Sequence, residues 1–338
     1  MEAPYLHKPD WHKIEEETLQ DYVPSHYHPT RMGEVIKEPY QVISKLGFGS
    51  TSTAWLARNL SSRRYVTLKI YLQSSQMGQQ TDHELKLYKL MAQHASHPGH
   101  DAVRTLHDAF HIDGPEDKHR CLVHPPLLEN VLTFLRRNPV ERLPSAVLAY
   151  VLYRVFMVLD YLHTECYLVH TDLKTDNVML GIKASSVYDY LEKAELEDLT
   201  PKKEYREEFV QSNIYWVPEV IPGIPWTYSI DIRNVGCMIW DIYEGGRLFR
   251  GYDPELERYQ SRAHLAEIIN LLRLSPPGFI AQGRRKDEFF SGEGRFLFEN
   301  LLTGQILLEE REMTLEGEEE REAFLRLMRK MLQWEPSK

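Results

Sequence analysis

The sequence predicts an α+β fold in two lobes, a small β-rich one followed by a larger helical one. Three observations carry this. The chain has 338 residues and 42% hydrophobic content, enough for two cores of ordinary domain size. Strand-like apolar runs sit before residue 125: two flank a Gly/Ser/Thr-rich stretch, one is Val66-Thr67-Leu68-Lys69-Ile70, and one begins at Cys121. Further on, apolar residues recur at helical spacing, over residues 145–163 and again over 321–334.

Residues 1–39 read as an N-terminal extension, 40–126 as the small lobe and 127–338 as the large one. In the small lobe, Leu46-Gly47-Phe48-Gly49-Ser50-Thr51-Ser52-Thr53-Ala54 lies between two strand-like runs. Gly47 and Gly49 leave the backbone without a Cβ, so a phosphate can approach it closely. The competing reading is a plain Gly/Ser hairpin turn. Lys69 stands inside the alternating strand that follows. A lysine there usually points into solvent; behind a glycine loop it suits a phosphate. The next helix is expected over 81–94, starting at Thr81, with Leu85, Tyr88 and Met91 at helical spacing and Glu84 on its first turn. Glu84 is then either a helix-start carboxylate favoured by the dipole or the partner of Lys69, and the lysine-then-glutamate order favours the pair. The strand at Cys121-Leu122-Val123-His124 ends in Pro125 and Pro126. Prolines donate no backbone hydrogen bond, which leaves the Pro125 carbonyl and the Leu127 amide as one acceptor and one donor.

In the large lobe, residues 145–163 predict a long buried helix, capped by Ser145 after Pro144. Arg154 and Asp160 interrupt it, which argues against a membrane span. It delivers the chain to Leu168-Val169-His170-Thr171-Asp172-Leu173-Lys174-Thr175-Asp176-Asn177, where a lysine follows the first aspartate by two residues and an asparagine by five. Downstream come Tyr215-Trp216-Val217-Pro218-Glu219 and Ser229-Ile230-Asp231-Ile232-Arg233-Asn234-Val235-Gly236-Cys237. A carboxylate as close to a helix start as Asp231 normally caps backbone amides.

Taken in order, these motifs resemble those of eukaryotic serine/threonine protein kinases, and they are most similar to the SR-protein kinase branch. Four stretches point there: Tyr27-His28-Pro29-Thr30-Arg31-Met32-Gly33-Glu34, Ser52-Thr53-Ala54-Trp55-Leu56-Ala57, His170-Thr171-Asp172, and 226–240 ending in Gly236-Cys237-Met238-Ile239-Trp240. The resemblance covers roughly residues 22–338. It implies a bilobal protein-kinase-like fold whose activation segment and last helix are incomplete. It also implies ATP-dependent phosphorylation of serines in Arg/Ser-rich proteins, with Mg2+ as cofactor. By the same resemblance Asp172 is the catalytic base, Lys174 sits by the transferred phosphoryl, and Asn177 is a metal ligand. Leu46 to Ala54 cover the phosphates, Lys69 and Glu84 anchor them, Pro125 and Leu127 hold adenine behind a His124 gatekeeper, and Asp231 braces the catalytic loop. Thr171 stands where many kinases have an arginine that reads an activation-loop phosphate, so no switch of that kind is expected.

Two departures matter. The magnesium-binding Asp-x-Gly does not occur between Asn177 and Val217; the nearest stretch is Asp198-Leu199-Thr200, without the glycine. The alternative function is therefore a pseudokinase-type nucleotide-binding or scaffolding module. The strand, the Asp-x-Gly and most of an activation loop would form one contiguous block, so their loss is expected to be that of one transcript segment. Related kinases also carry, soon after the point matching the helix over 321–334, an arginine that pairs with the glutamate equivalent to Glu219, plus a last helix, so Glu219 is expected to have no evident partner.

Composition bounds the rest. The net charge is −10, with acid concentrated in 192–208 and 308–322. This argues against direct nucleic-acid binding and suits attraction of basic Arg/Ser-rich substrates. Cys121, Cys166 and Cys237 lie inside apolar elements and fit a reducing compartment. His94, His97, His100, His107 and His111 have no cysteine or carboxylate cluster beside them and make a poor zinc site. No signal peptide, membrane span or repeat is visible, so an intracellular protein of cytoplasm or nucleus is expected.

Overall fold

The computed structural model describes residues 16–19, 22–73, 75–115, 117–127, 129–138, 142–181, 186–197 and 217–335. The chain forms two compact units. One comprises Met1–Leu128 with Leu180–Gln211, the other Glu129–Met179 with Ser212–Lys338.

The first unit is built on a six-stranded antiparallel sheet of order β1-β2-β3-β4-β6-β5. Its strands are β1 (Val35–Ile36), β2 (Tyr40–Phe48), β3 (Ser52–Asn59), β4 (Arg64–Tyr71), β5 (Asp108–Asp113) and β6 (Lys118–His124). Buried Val42, Ala57, Val66, Leu68, Ile70, Phe110, Ile112, Cys121 and Val123 make one core. Among the described residues the helices are, in chain order, α1 (Ser75–Gln93), α2 (Val131–Arg137), α3 (Ser145–Asp160), α4 (Ser186–Glu197), α5 (Ser229–Glu244), α6 (Ser261–Leu272), α7 (Pro277–Ile280), α8 (Leu308–Arg311) and α9 (Glu318–Met331). In the first unit, α4 lays Tyr188 against Leu56 and Tyr65, and the Tyr65 hydroxyl donates to Asp189 or Glu192 of α4, 2.7 and 2.6 Å away.

Helix α1 starts at Ser75 rather than Thr81. Gly78 and the run of polar residues before Thr81 hide the helical period from sequence. Thr81 does not cap a helix; its hydroxyl donates to the Gly78 carbonyl at 3.1 Å, one turn back inside the helix. Glu84 is therefore well into α1, beyond the first turn where the dipole favours a carboxylate.

In the second unit α3 runs on into a π-helical turn, Tyr161–Glu165. It is not buried all round. Leu148, Val151, Val155 and Leu159 face the core, while Val147, Tyr150, Tyr153 and Phe156 are exposed. By length and composition alone the stretch Ser145–Glu165 could cross a membrane; the buried row gives it a place in the core of this unit. Ser145 makes no cap, because the Pro144 carbonyl accepts the Val147 and Leu148 amides at 2.9 and 3.0 Å. Helix α5 is deeply buried, with Ile230, Val235, Cys237, Met238, Ile239, Trp240 and Ile242 all inside. It ends at Gly245 with φ 68°, the left-handed conformation that glycine adopts at no steric cost. Helix α9 packs on it so closely that a Cβ on Gly236 would lie 3.1 Å from the Met331 Cβ. Phe324 of α9 stacks on Tyr243 with centroids 4.9 Å apart.

Candidate active site

The candidate residues fall into two groups, one in each unit. In the first unit, β2 and β3 form the hairpin that carries Leu46, Gly47, Phe48, Gly49, Ser50, Thr51, Ser52, Thr53 and Ala54. Its turn is closed by the Gly49 amide on the Ser52 carbonyl at 2.9 Å. Neither Gly47 nor Gly49 has a left-handed φ. A Cβ on Gly47 would meet nothing within 4 Å, and one on Gly49 only the Ser52 carbonyl at 3.9 Å. The protein's own backbone does not require glycine here. Open space over both fits close approach by a ligand's phosphates.

Lys69 lies mid-strand in β4, with Ala54 of β3 on one side and Leu122 of β6 on the other. Its Nζ reaches both oxygens of Glu84 at 3.1 and 3.3 Å. Burial pulls the Lys69 pKa down, and Glu84 opposes that shift. Two groups that sequence reasoning passed over complete this cluster. The Tyr71 hydroxyl donates to Glu84 Oε2, and Tyr88, one turn after Glu84 on α1, has its pKa raised, chiefly by burial and further by Glu84. Strand period two puts Tyr71 on the face of Lys69, and helical period puts Tyr88 over Glu84; both signals were in the spacing. At the far end of β6, His124 is fully buried and donates from Nδ1 to the Thr105 carbonyl at 2.8 Å. Burial pushes its pKa down to about 3, so the ring stays neutral near pH 7. Pro125, Pro126 and Leu127 follow outside regular structure, and the Tyr188 hydroxyl donates to the Pro126 carbonyl at 3.0 Å.

In the second unit the loop after α3 gathers two side chains around one carboxylate. Asn177 Nδ2 donates to Asp172 Oδ2 at 2.9 Å and to the Asp172 carbonyl at 2.7 Å. Lys174 Nζ lies 3.4 Å from the same Oδ2. Asp172 Oδ1 is enclosed and has no hydrogen-bond partner among the described residues. The Asp172 carboxylate and the Asn177 amide oxygen are hard oxygen donors of the kind Mg2+ takes. Among the described residues no three His, Cys, Asp or Glu side chains form a metal-binding group. Asp198, Thr200, Tyr215 and Trp216 lie outside the described residues.

Thr171 has φ 69°, which a β-branched residue rarely adopts. Its peptide is held from both sides. Asp231 Oδ1 accepts the Thr171 amide and Oδ2 the His170 amide, each at 2.8 Å, and Asn234 Nδ2 donates to the Thr171 carbonyl at 3.2 Å. His163 Nε2 donates to Asp231 Oδ2 at 2.9 Å. Asp231 therefore braces the loop and does not cap its own helix. Asp231→Asn, which turns an acceptor toward amide donors into a donor, is expected to cost about 1–3 kcal/mol of stability. Denaturant unfolding measures it, and a change within experimental error would show that the brace carries no energy.

Glu219 has a partner, contrary to expectation. Arg233, at the position where tryptophan is usual in the resembled kinases, forms an ion pair with it inside the core, and Arg233 Nη2 donates to the Trp334 carbonyl at 3.0 Å.

The protein kinase domain model matches residues 40–338. A serine/threonine protein kinase of Aspergillus fumigatus is 32% identical, over 96% of this chain and 87% of its own length. The serine/threonine-protein kinase SRPK of Physarum polycephalum is 28% identical over 96% of this chain and 88% of its own. Human SRSF protein kinase 3 is 33% identical over half of this chain and 30% of its own. The Aspergillus alignment spans 361 positions against the 338 residues of this chain, so that relative carries residues this chain lacks. A match that runs through both the Lys69–Glu84 pair and the Asp172 loop places the chain in the protein kinase family, as a serine/threonine kinase of the SR-protein-kinase type.

Proposed function

We propose that this chain transfers the γ-phosphate of ATP to serine hydroxyls in basic, Arg/Ser-rich proteins of the cytoplasm or nucleus. The observation that carries this reading is the arrangement around Asp172: a carboxylate oriented by Asn177, neighboured by Lys174, with one oxygen left without a partner. In this reading Asp172 accepts the proton of the attacking hydroxyl and Lys174 sits by the transferred phosphoryl. Asn177 would hold a magnesium ion, which offsets phosphate charge when bound. Lys69, kept in place by Glu84, grips the phosphates under the hairpin from Leu46 to Ala54, and the Pro125 carbonyl and Leu127 amide take the adenine edge. The acidic first turns of α8 (Glu309, Glu310) and α9 (Glu318, Glu319, Glu320) support attraction of a basic substrate. The three cysteines are free and buried, as suits a reducing compartment.

Nucleotide binding tests the first half of this reading. Thermal unfolding should shift upward with ATP, because a ligand that binds only the folded form stabilises it by about 2.7 kcal/mol at a hundred times its Kd. Magnesium should add little, since Asn177 alone of the assigned residues serves it. No shift at millimolar ATP, with or without magnesium, would overturn the nucleotide reading.

A further inference from the structure

Building on that reading, we infer that Tyr71 is a positioning residue for the phosphate anchor, closing a triangle with Lys69 and Glu84 that holds the lysine without a second carboxylate. A lysine on a four-carbon stem does not hold its own direction. In β4 three contacts do so. Glu84 takes the ammonium on both oxygens at 3.1 and 3.3 Å. The Tyr71 ring lies under the same Nζ, 4.6 Å from the centroid, a distance at which the ring face attracts a cation. The Tyr71 hydroxyl then donates to Glu84 Oε2, so the side chain that supports the ammonium also fixes its counter-ion. Tyr71 itself is buried, whereas the Lys69 and Glu84 side chains keep 23% and 26% of their exposure, open to a ligand.

Tyr71 is also tied to the glycine hairpin. It is the β-partner of Ser52, and the next residue, Leu72, donates its amide to the Thr51 carbonyl at 3.0 Å. One residue thus connects the loop proposed to cover the phosphates with the lysine proposed to bind them. No Asp-x-Gly carboxylate stands in the sequence after Asn177 to share that lysine, and the triangle needs none.

The test compares two ligands by calorimetric titration of the full chain. ATP presents phosphates to Lys69, whereas adenosine presents only the base and sugar. Tyr71→Phe keeps the ring and loses the hydroxyl; it should weaken ATP about five- to tenfold and adenosine less than twofold. Tyr71→Leu, which loses both, should weaken ATP further with adenosine again nearly unchanged. In a Lys69→Met background Tyr71→Phe should have no additional effect on ATP. Equal losses for ATP and adenosine would mark a general structural role and overturn the inference, as would unchanged ATP binding or an effect that persists without Lys69. If the unaltered chain binds neither ligand, the nucleotide reading itself falls and this inference with it.

Discussion

Arg233→Met is expected to lower folding stability by about 3–5 kcal/mol, the loss typical of breaking a buried ion pair on one side. Glu219 is 1% exposed and Arg233 4%, so neither charge is served by solvent. Removing the guanidinium leaves the Glu219 carboxylate inside the core and also takes the Nη2 donor from the Trp334 carbonyl. Two further variants separate charge from shape. Arg233→Trp, which brings in the residue usual in the resembled kinases, should cost a comparable amount, because an indole gives Glu219 no counter-charge. The double change Glu219→Leu with Arg233→Met should recover most of the loss, since apolar residues of similar volume can replace a whole buried pair at little net cost. Denaturant midpoints and slopes measure all three. If Arg233→Met costs less than about 1 kcal/mol, the pair contributes no more than a surface salt bridge.

This pair also shows where sequence reasoning stops. The glutamate and the odd arginine were both legible, but each was measured against a family pattern in which they play unrelated parts. Their meeting depends on the turn that brings Glu219 back against α5, and no periodicity encodes that. Lys69 and Glu84 were legible because the chemistry needs a strand lysine followed by a helix carboxylate, and the order survives any error in the helix boundary. The boundary itself was misplaced: Gly78 and its polar neighbours carry no apolar stripe, so α1 reads as starting at Thr81 although its backbone is helical from Ser75. In α3 the error was of another kind. Apolar residues lie on every face of that helix, and hydrophobicity alone does not say that Tyr150 and Tyr153 stay in solvent while Val151 and Val155 go inside. Tyr71 was overlooked because a tyrosine closing a strand reads as core, which it is; its hydroxyl's partner lies on another element.

Phosphorylation of an Arg/Ser-rich peptide by this chain is expected to run about a hundred- to thousandfold slower than by a form in which an Asp-x-Gly segment is inserted between Thr200 and Ser212, the scale set by losing one fixed electrostatic partner of a transition state. Phosphoryl transfer demands little covalent work from the protein; its rate depends on positioning and on neutralising the charge that spreads over the transferred group. The positioning residues are present: Asp172 is oriented by Asn177, and Thr171 is clamped by Asp231 and Asn234. In the proposed reading, Asn177 is the one residue assigned to the metal. The deficit should therefore fall on kcat more than on ATP binding, which the proposed reading assigns to Lys69 and Glu84. Asp172→Asn serves as the control in both forms. Its side chain is 45% exposed, so the change should leave the fold intact while removing the proton acceptor and abolishing the remaining turnover. Turnover that survives Asp172→Asn would take the role of base away from this residue. Equal rates for the chain with and without the inserted segment would show that the missing carboxylate is not what limits it.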